Sequence, residues 1–217
     1  NLSFINSLDV DNNESLLNID GLEGISDRPV NVRIRLNKQL KNIDGLSGLN
    51  EIWDLNISGN INLENLDGLS NVAVYHDNIM ISGNFKIENL DGLHHLEVAS
   101  GDLEILDNNA LDNIDGLNGL TSVNGDFGIF RALNLTSLNA LSNLSTVEGD
   151  LYIQINGIST LEGLNNLNYV GDNLNISSNE NLYDFCAIQN TTVNGQYYVV
   201  QNQNNPTQED LSSGNCN

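Results

Sequence analysis

Residues 90–113 read LDGLHHLEVASGDLEILDNNALDN, and residues 114–137 read IDGLNGLTSVNGDFGIFRALNLTS. The second stretch restates the first. Aligned on [IL]-x-[GA]-L, the phrase recurs as IDGL (19–22), IDGL (43–46), LDGL (66–69), LDGL (90–93), IDGL (114–117), LNAL (138–141) and LEGL (161–164), in steps of 24, 23, 24, 24, 24 and 23 residues. A period in the twenties marks a repeat architecture, in which each unit buries its apolar face against its neighbours. No linker interrupts the series, so the 217 residues read as one domain: an N-terminal coil or cap over 1–16, regular repeats over 17–185 and a C-terminal cap over 186–217.

Each period carries an apolar–x–apolar segment: Leu8/Val10, Val32/Ile34, Leu55/Ile57, Ile79/Ile81, Leu103/Ile105, Phe127/Ile129, Leu151/Ile153, Leu174/Ile176 and Tyr197/Val199. Alternation with period two is a short strand with one buried face. Stacked in parallel about 4.8 Å apart, these strands would build a rod about 40 Å long. Three residues after the second apolar member stands an asparagine: Asn13, Asn37, Asn60, Asn84, Asn108, Asn156, Asn179 and Asn202, with Ala132 in the one exception. A stacked Asn can bond the backbone of a tight turn and of the next unit, and buried amides have to be paired. The series therefore predicts a structural ladder. The remaining arc, as in DGLNGLTSV (115–123), has apolar spacings near three and reads as an irregular, 3₁₀ or α turn that packs Leu117, Leu120 and Val123 inward. The fold expected is mainly β, a parallel β-solenoid of about 24 residues per coil.

With 29 acidic and 7 basic side chains the net charge is −22. That argues against nucleic acid and anionic membrane surfaces as partners, and for a soluble monomer in a medium whose salt screens repulsion. No run of about 18 apolar residues offers a membrane span. Cys186 and Cys216 both lie outside the regular repeat. They read as a disulfide more than as a redox or metal pair, which points to an exported protein; the alternative is two separate buried thiols.

The pattern L-x-[IL]-x-x-N followed by spaced leucines resembles a leucine-rich repeat. The spacing N-x-x-L, as in NINL (60–63) and NENL (179–182), and the Gly-Asp before several strands (101–102, 125–126, 149–150) are similar to the receptor L-domain variant and to bacterial exported leucine-rich-repeat proteins. The resemblance covers about residues 8–185, and FCAIQN (185–190) through NNPTQEDLSSGNC (204–216) resembles the disulfide-tied C-terminal cap of those proteins. It implies a right-handed solenoid, an extracellular or cell-surface location, and protein or glycan binding on the exposed strand face.

The register defines that face. Its central outward row is Asp9, Arg33, Asn56, Met80, Glu104, Gly128, Tyr152, Asn175 and Tyr198; the row two residues on is Asp11, Arg35, Ser58, Ser82, Leu106, Phe130, Gln154, Ser177 and Val200. An apolar and aromatic cluster with one arginine, in the same coil as the gap in the Asn series, has the composition of a binding hot spot. The candidate ligand-binding residues are Met80, Glu104, Leu106, Phe130, Arg131, Tyr152 and Ile155, with Phe130 and Tyr152 as stacking platforms if the ligand is a carbohydrate. A structural spacer is the competing reading, in which Phe130 only covers the core beside Ala132.

Other features are weighed against plainer explanations. Arg28, Arg33, Arg35, Lys38 and Lys41 make one end basic. That end could orient an anionic partner or serve a polysaccharide-active enzyme, or it could simply neutralise nearby acids. The column Asp54, Asn78, Asp102, Asp126, Asp150 and Asn173 could take calcium or cap turns. The adjacent His94 and His95 are expected to diverge. No nucleophile elbow, HExxH or phosphate loop is present, so no catalytic function and no cofactor are expected.

Overall fold

The computed structural model describes residues 5–25 and 29–217. Arg28 and the first four residues of the N-terminal cap lie outside the described residues. The chain is mainly β. Among the described residues, ten parallel strands form one sheet and five very short strands a second.

The large sheet takes one strand from each repeat: Ser7–Asp11, Val30–Arg35, Glu51–Ser58, Ile79–Ser82, Leu103–Leu106, Phe127–Phe130, Leu151–Gln154, Leu174–Ser177 and Tyr197–Val200, numbered below as repeats 1 to 9. Its order follows the chain. Equivalent residues pair directly, so Ile81, Ile105, Ile129 and Ile153 stand one above another. A one-residue slip would turn every apolar side chain outward, which fixes the register. The exception lies in repeat 3, where the pairing shifts between Val30 and Val32 and accommodates the extra residue of Trp53–Asp54. The tenth strand, Val74–Tyr75, pairs with the start of Glu51–Ser58.

The arcs hold a regular 3₁₀ turn. Asp20–Leu22, Asp44–Leu46, Asp67–Leu69, Asp91–Leu93, Asp115–Leu117 and Asn139–Leu141 each form one. Each is opened by a polar side chain two residues before it: the Asp115 amide donates to Asn113 Oδ1 and the Asn139 amide to Ser137 Oγ. These Asx-type turns offer the backbone a local partner where the strand has ended. A Cβ on Gly116 would lie 1.8 Å from the Leu90 carbonyl oxygen, so the glycine is what lets successive turns nest. After each turn the chain packs Leu120 and Val123, or their equivalents, into the core. It then joins the second sheet at Val98–Ala99, Ser122–Val123, Thr146–Val147, Tyr169–Val170 or Thr192–Val193. The arc expected to be irregular therefore ends in a strand.

The core is predominantly aliphatic. Leu103, Ile105, Leu111, Ile114, Leu117, Leu120 and Val123 are all fully buried, and each such side chain contributes about 1.5–3 kcal/mol over exposure. At the far end Cys186 and Cys216 are bonded, with Cα atoms 4.9 Å apart and a sequence separation of 30. The Phe185 amide donates to the Cys216 carbonyl at 2.8 Å. Within the cap, the short helix Gln208–Ser212 begins in a reciprocal Thr207–Asp210 capping box. Among the described residues no helix is long and apolar enough to cross a membrane.

Candidate functional site

Two polar ladders frame the outward face of the large sheet. In the first, Asn84 Oδ1 accepts the amide of Asn60 at 3.0 Å while its Nδ2 donates to the Ile57 carbonyl at 2.9 Å. The pattern runs from Asn13 to Asn202, where Asn205 of the cap supplies the last acceptor. At Ala132 it is interrupted: the Asn108 amide loses its side-chain acceptor and the Ile105 carbonyl its side-chain donor, although the Ala132 amide still reaches Asn156 Oδ1. Between strand and ladder lies a backbone demand that most of the residue types there do not signal. The residue before each ladder position is left-handed: Asn12, Leu36, Gly59, Gly83, Asp107, Arg131, Ile155, Ser178 and Gln201 all have φ between 55 and 68°. Arg131 and Ile155 owe their outward position to this turn.

The second ladder borders the other edge. Asn78, Asp102, Asp126 and Asp150 each accept, through Oδ1, the backbone amide of the equivalent residue one repeat on, at 2.7–2.8 Å. Asn173 then accepts from the Gln196 amide at 2.9 Å. These carboxylates act as turn caps. Asp54 stands apart, 3.7 Å from Arg33; burial pushes its carboxyl above the usual range against the pull of that guanidinium. Among the described residues no group of three or more His, Cys, Asp or Glu is arranged to hold a metal ion. His94 and His95 do not diverge as expected: their ring centroids are 4.1 Å apart, with His94 Nδ1 at 2.8 Å from the Asp91 carbonyl. The 3₁₀ turn ending at Leu93 brings them together.

The seven candidate residues fall on one contiguous stretch. Met80 pairs with Glu104 in register, and its sulfur lies 3.5 Å from Asn56 Nδ2. Leu106 pairs with Phe130, both half-buried. The Arg131 guanidinium sits 4.7 Å above the Phe130 ring and also pairs with Asp107 of the preceding repeat. Tyr152 lies across Gly128, where an added Cβ would come 1.9 Å from the ring, and its hydroxyl donates to Glu104. Burial first, then that carboxylate and the charges of Asp126 and Asp102, raise the phenol pKa well above its ordinary value. Ile155 follows Arg131 in the left-handed row.

Beyond this cluster the face continues into a trough of about 370 Å³ that the candidate set reached only at Tyr152. It is lined by Asp150, Tyr152, Gln154, Asn173, Asn175, Gln196 and Tyr198. Asn175 and Tyr198 already stood in the outward row; spacing alone did not reveal that the side chains around them enclose a concavity. The structure also shows Trp53, 49 % exposed, stacked on His76 with centroids 5.1 Å apart, while His76 Nε2 lies 3.1 Å from Glu51. The extra residue of repeat 3 pushes Trp53 out there, and only the irregular spacing before Leu55 signals it.

At the basic end Arg35 pairs with Asp11, Arg33 with Asp54 and Lys38 with Glu14. Both cysteines are disulfide-bonded, and no free thiol remains. No protein-family model matches the chain, and no curated protein matches it.

Proposed function

We propose that the chain is a right-handed parallel β-solenoid of leucine-rich-repeat, receptor L-domain-like type, forming one domain, and that it serves as a non-catalytic recognition module of a secreted or cell-surface protein. The exposed face of the large sheet is its contact surface, and its partner is a protein or a glycan outside the cell. One observation carries this reading. The outward rows do not repeat, and from repeat 5 onward they carry Glu104, Leu106, Phe130, Tyr152 and Tyr198 with Arg131 beside them, while the inward rows stay uniformly apolar. The fold is served by the inward rows and the ladders, so the outward variety is left for a ligand.

The face is also held in place before binding. Arg131 is fixed between Asp107 and the Phe130 ring, and Tyr152 is tied to Glu104. Aromatic and arginine side chains held this way lose little rotamer entropy on binding. The disulfide supports an extracellular location, because such bonds persist in oxidising compartments. The pairing of Arg33, Arg35 and Lys38 with carboxylates weighs against a basic catalytic cleft for acidic polysaccharides.

The test is a binding screen of the purified chain against arrayed glycans and cell-surface proteins, with and without calcium, beside a folded Phe130→Ser/Arg131→Ser/Tyr152→Ser variant. A partner bound by the native chain and lost by the variant supports the reading. Absence of any partner, with the variant altering stability alone, would favour a spacer.

A further inference from the structure

We infer that the trough between Tyr152 and Tyr198 is a binding site for one sugar unit of a neutral oligosaccharide, an assignment that rests on the recognition reading above and narrows it to a ligand class.

The geometry comes first. Tyr152 pairs with Asn175, and Asn175 with Tyr198, in the parallel register. The two tyrosines therefore stand two rungs apart, about 9.6 Å at the usual strand spacing, with the Asn175 side chain as the floor between them. A sugar ring stacked on Tyr198 needs a carbon contact of about 3.5–4.0 Å, for which the two-rung gap leaves room. The Tyr152 ring lies over Gly128, away from Tyr198, so Tyr152 borders the trough while Tyr198 supplies its stacking face. Tyr198 is 52 % exposed, so its ring is available as a wall.

The polar inventory comes second. Among the described residues, the side-chain amides of Gln154 and Gln196, the Tyr198 hydroxyl and Asn175 Nδ2 make no hydrogen bond to another protein group. Asn175 Oδ1 accepts from Ser177 Oγ at 2.9 Å, which orients the amide and leaves its donor free. The equivalent asparagine of repeat 3 shows the contrast: Asn56 has the same bond from Ser58, but its Nδ2 is directed to the Met80 sulfur. Free donors and acceptors thus gather beside the Tyr198 ring on repeats 7 to 9.

The chemistry selects the ligand. Asp150 lines the trough, no lysine or arginine does, and the chain carries −22, so anions are repelled. A peptide anchor side chain needs an apolar, water-excluding pocket, and five of the seven lining residues are amides or a carboxylate. A pyranose answers both sets of groups: its C–H face packs on a phenol ring, and its hydroxyls each donate and accept toward the amides.

The full chain should be titrated with neutral gluco-, manno- and galacto-oligosaccharides by calorimetry and by amide NMR, with a sulfated oligosaccharide as control. At least one neutral oligosaccharide is expected to bind and to shift the side-chain amide signals of Gln154, Asn175 and Gln196. Tyr198→Ala and Asn175→Ala should each weaken binding about tenfold, Tyr198→Phe less than threefold, and the sulfated control should not bind. If the native chain binds no neutral oligosaccharide at millimolar concentration, or if Tyr198→Ala binds as the native chain does, the assignment is overturned. In that case a ligand lost only on Phe130→Ser/Arg131→Ser leaves the recognition reading standing, whereas no ligand of any class removes both.

Discussion

Tyr152 reaches over Gly128 to hydrogen-bond Glu104, spanning two repeats of the sheet. Gly128 is buried although it lies on the outward face, because the phenol ring covers it. Its substitution by alanine should expel the ring, since the clashing atoms belong to the far end of a movable side chain. Gly128→Ala is therefore expected to cost under about 1 kcal/mol, in the range of ordinary surface changes. It should also lower the pH at which Tyr152 ionises, as burial and the Glu104 contact are both lost. Spectrophotometric titration of the phenols checks this; an unchanged Tyr152 transition would mean that the ring finds equal cover elsewhere.

The Asn ladder and its gap make a paired prediction. Asn84→Ala removes an acceptor from the Asn60 amide and a donor from the Ile57 carbonyl, both in a buried setting. Leaving two such groups unpaired should cost about 2–4 kcal/mol. Ala132→Asn does the reverse, offering partners to the Asn108 amide and the Ile105 carbonyl, and should add about 1 kcal/mol. Urea denaturation of the two variants tests the pair. A loss in Ala132→Asn would show that the space at repeat 6 is already filled.

These two sites also show what could be read before any coordinates. The ladder positions and the inward rows were legible, because both recur every 23 or 24 residues, the inward pairs nine times and the asparagines eight. The second sheet was not, because strands such as Ser122–Val123 are two residues long and two residues carry no periodicity. The left-handed row was hidden for a different reason. Glycine and asparagine advertise positive φ at Gly59, Gly83 and Asn12, but Leu36, Arg131 and Ile155 occupy the same conformation without any such signal. Of the candidate surface, the cluster around Phe130 stood out by composition, whereas the trough beside Tyr198 depends on how side chains of three repeats lie relative to one another.

Ile155 is the sharpest case of that hidden strain. A β-branched residue at φ 57° sets its Cβ against the carbonyl that follows, at a cost of about 1–2 kcal/mol. Asparagine tolerates this region, and the Ile155 amide bond to the Ser177 carbonyl is independent of the side chain. Ile155→Asn is expected to stabilise the fold by about 1 kcal/mol, seen as a rise in urea midpoint with unchanged slope. A fall would show that the Ile155 side chain packs more favourably than its backbone is strained.

The phenols give the stability its alkaline limit. Tyr75, Tyr152 and Tyr197 all have pKa values raised in the fold, each chiefly by burial. Such groups stay protonated in the native state while the unfolded chain ionises near pH 10. Their contribution is thus intact below that pH and is lost as pH rises above it. The urea midpoint should hold from pH 8 to about 9.5 and fall steadily beyond about 10. Tyr75 adds a second test, because its hydroxyl is buried without a hydrogen-bond partner. Tyr75→Phe should raise stability by about 1 kcal/mol at neutral pH and make the alkaline decline shallower; a loss at neutral pH would mean that the hydroxyl is satisfied by water.

Reduction of the Cys186–Cys216 bond should act locally before it acts globally. The bond closes a loop of 30 residues, which corresponds to about 3–4 kcal/mol in the chain-entropy model. The loop contains the last strand of the large sheet and the helix Gln208–Ser212, whose Leu211 is buried in the core. In a chain of stacked repeats each unit is held mainly by its neighbours, so losing the tie should loosen repeat 9 and the cap first. Hydrogen exchange after reduction is expected to accelerate over Tyr197–Val200 and at the Phe185 amide, while Ile105 and Ile129 keep their protection. Simultaneous loss of protection in all repeats would show instead that the stack unfolds as one cooperative unit and that the cap carries its stability throughout.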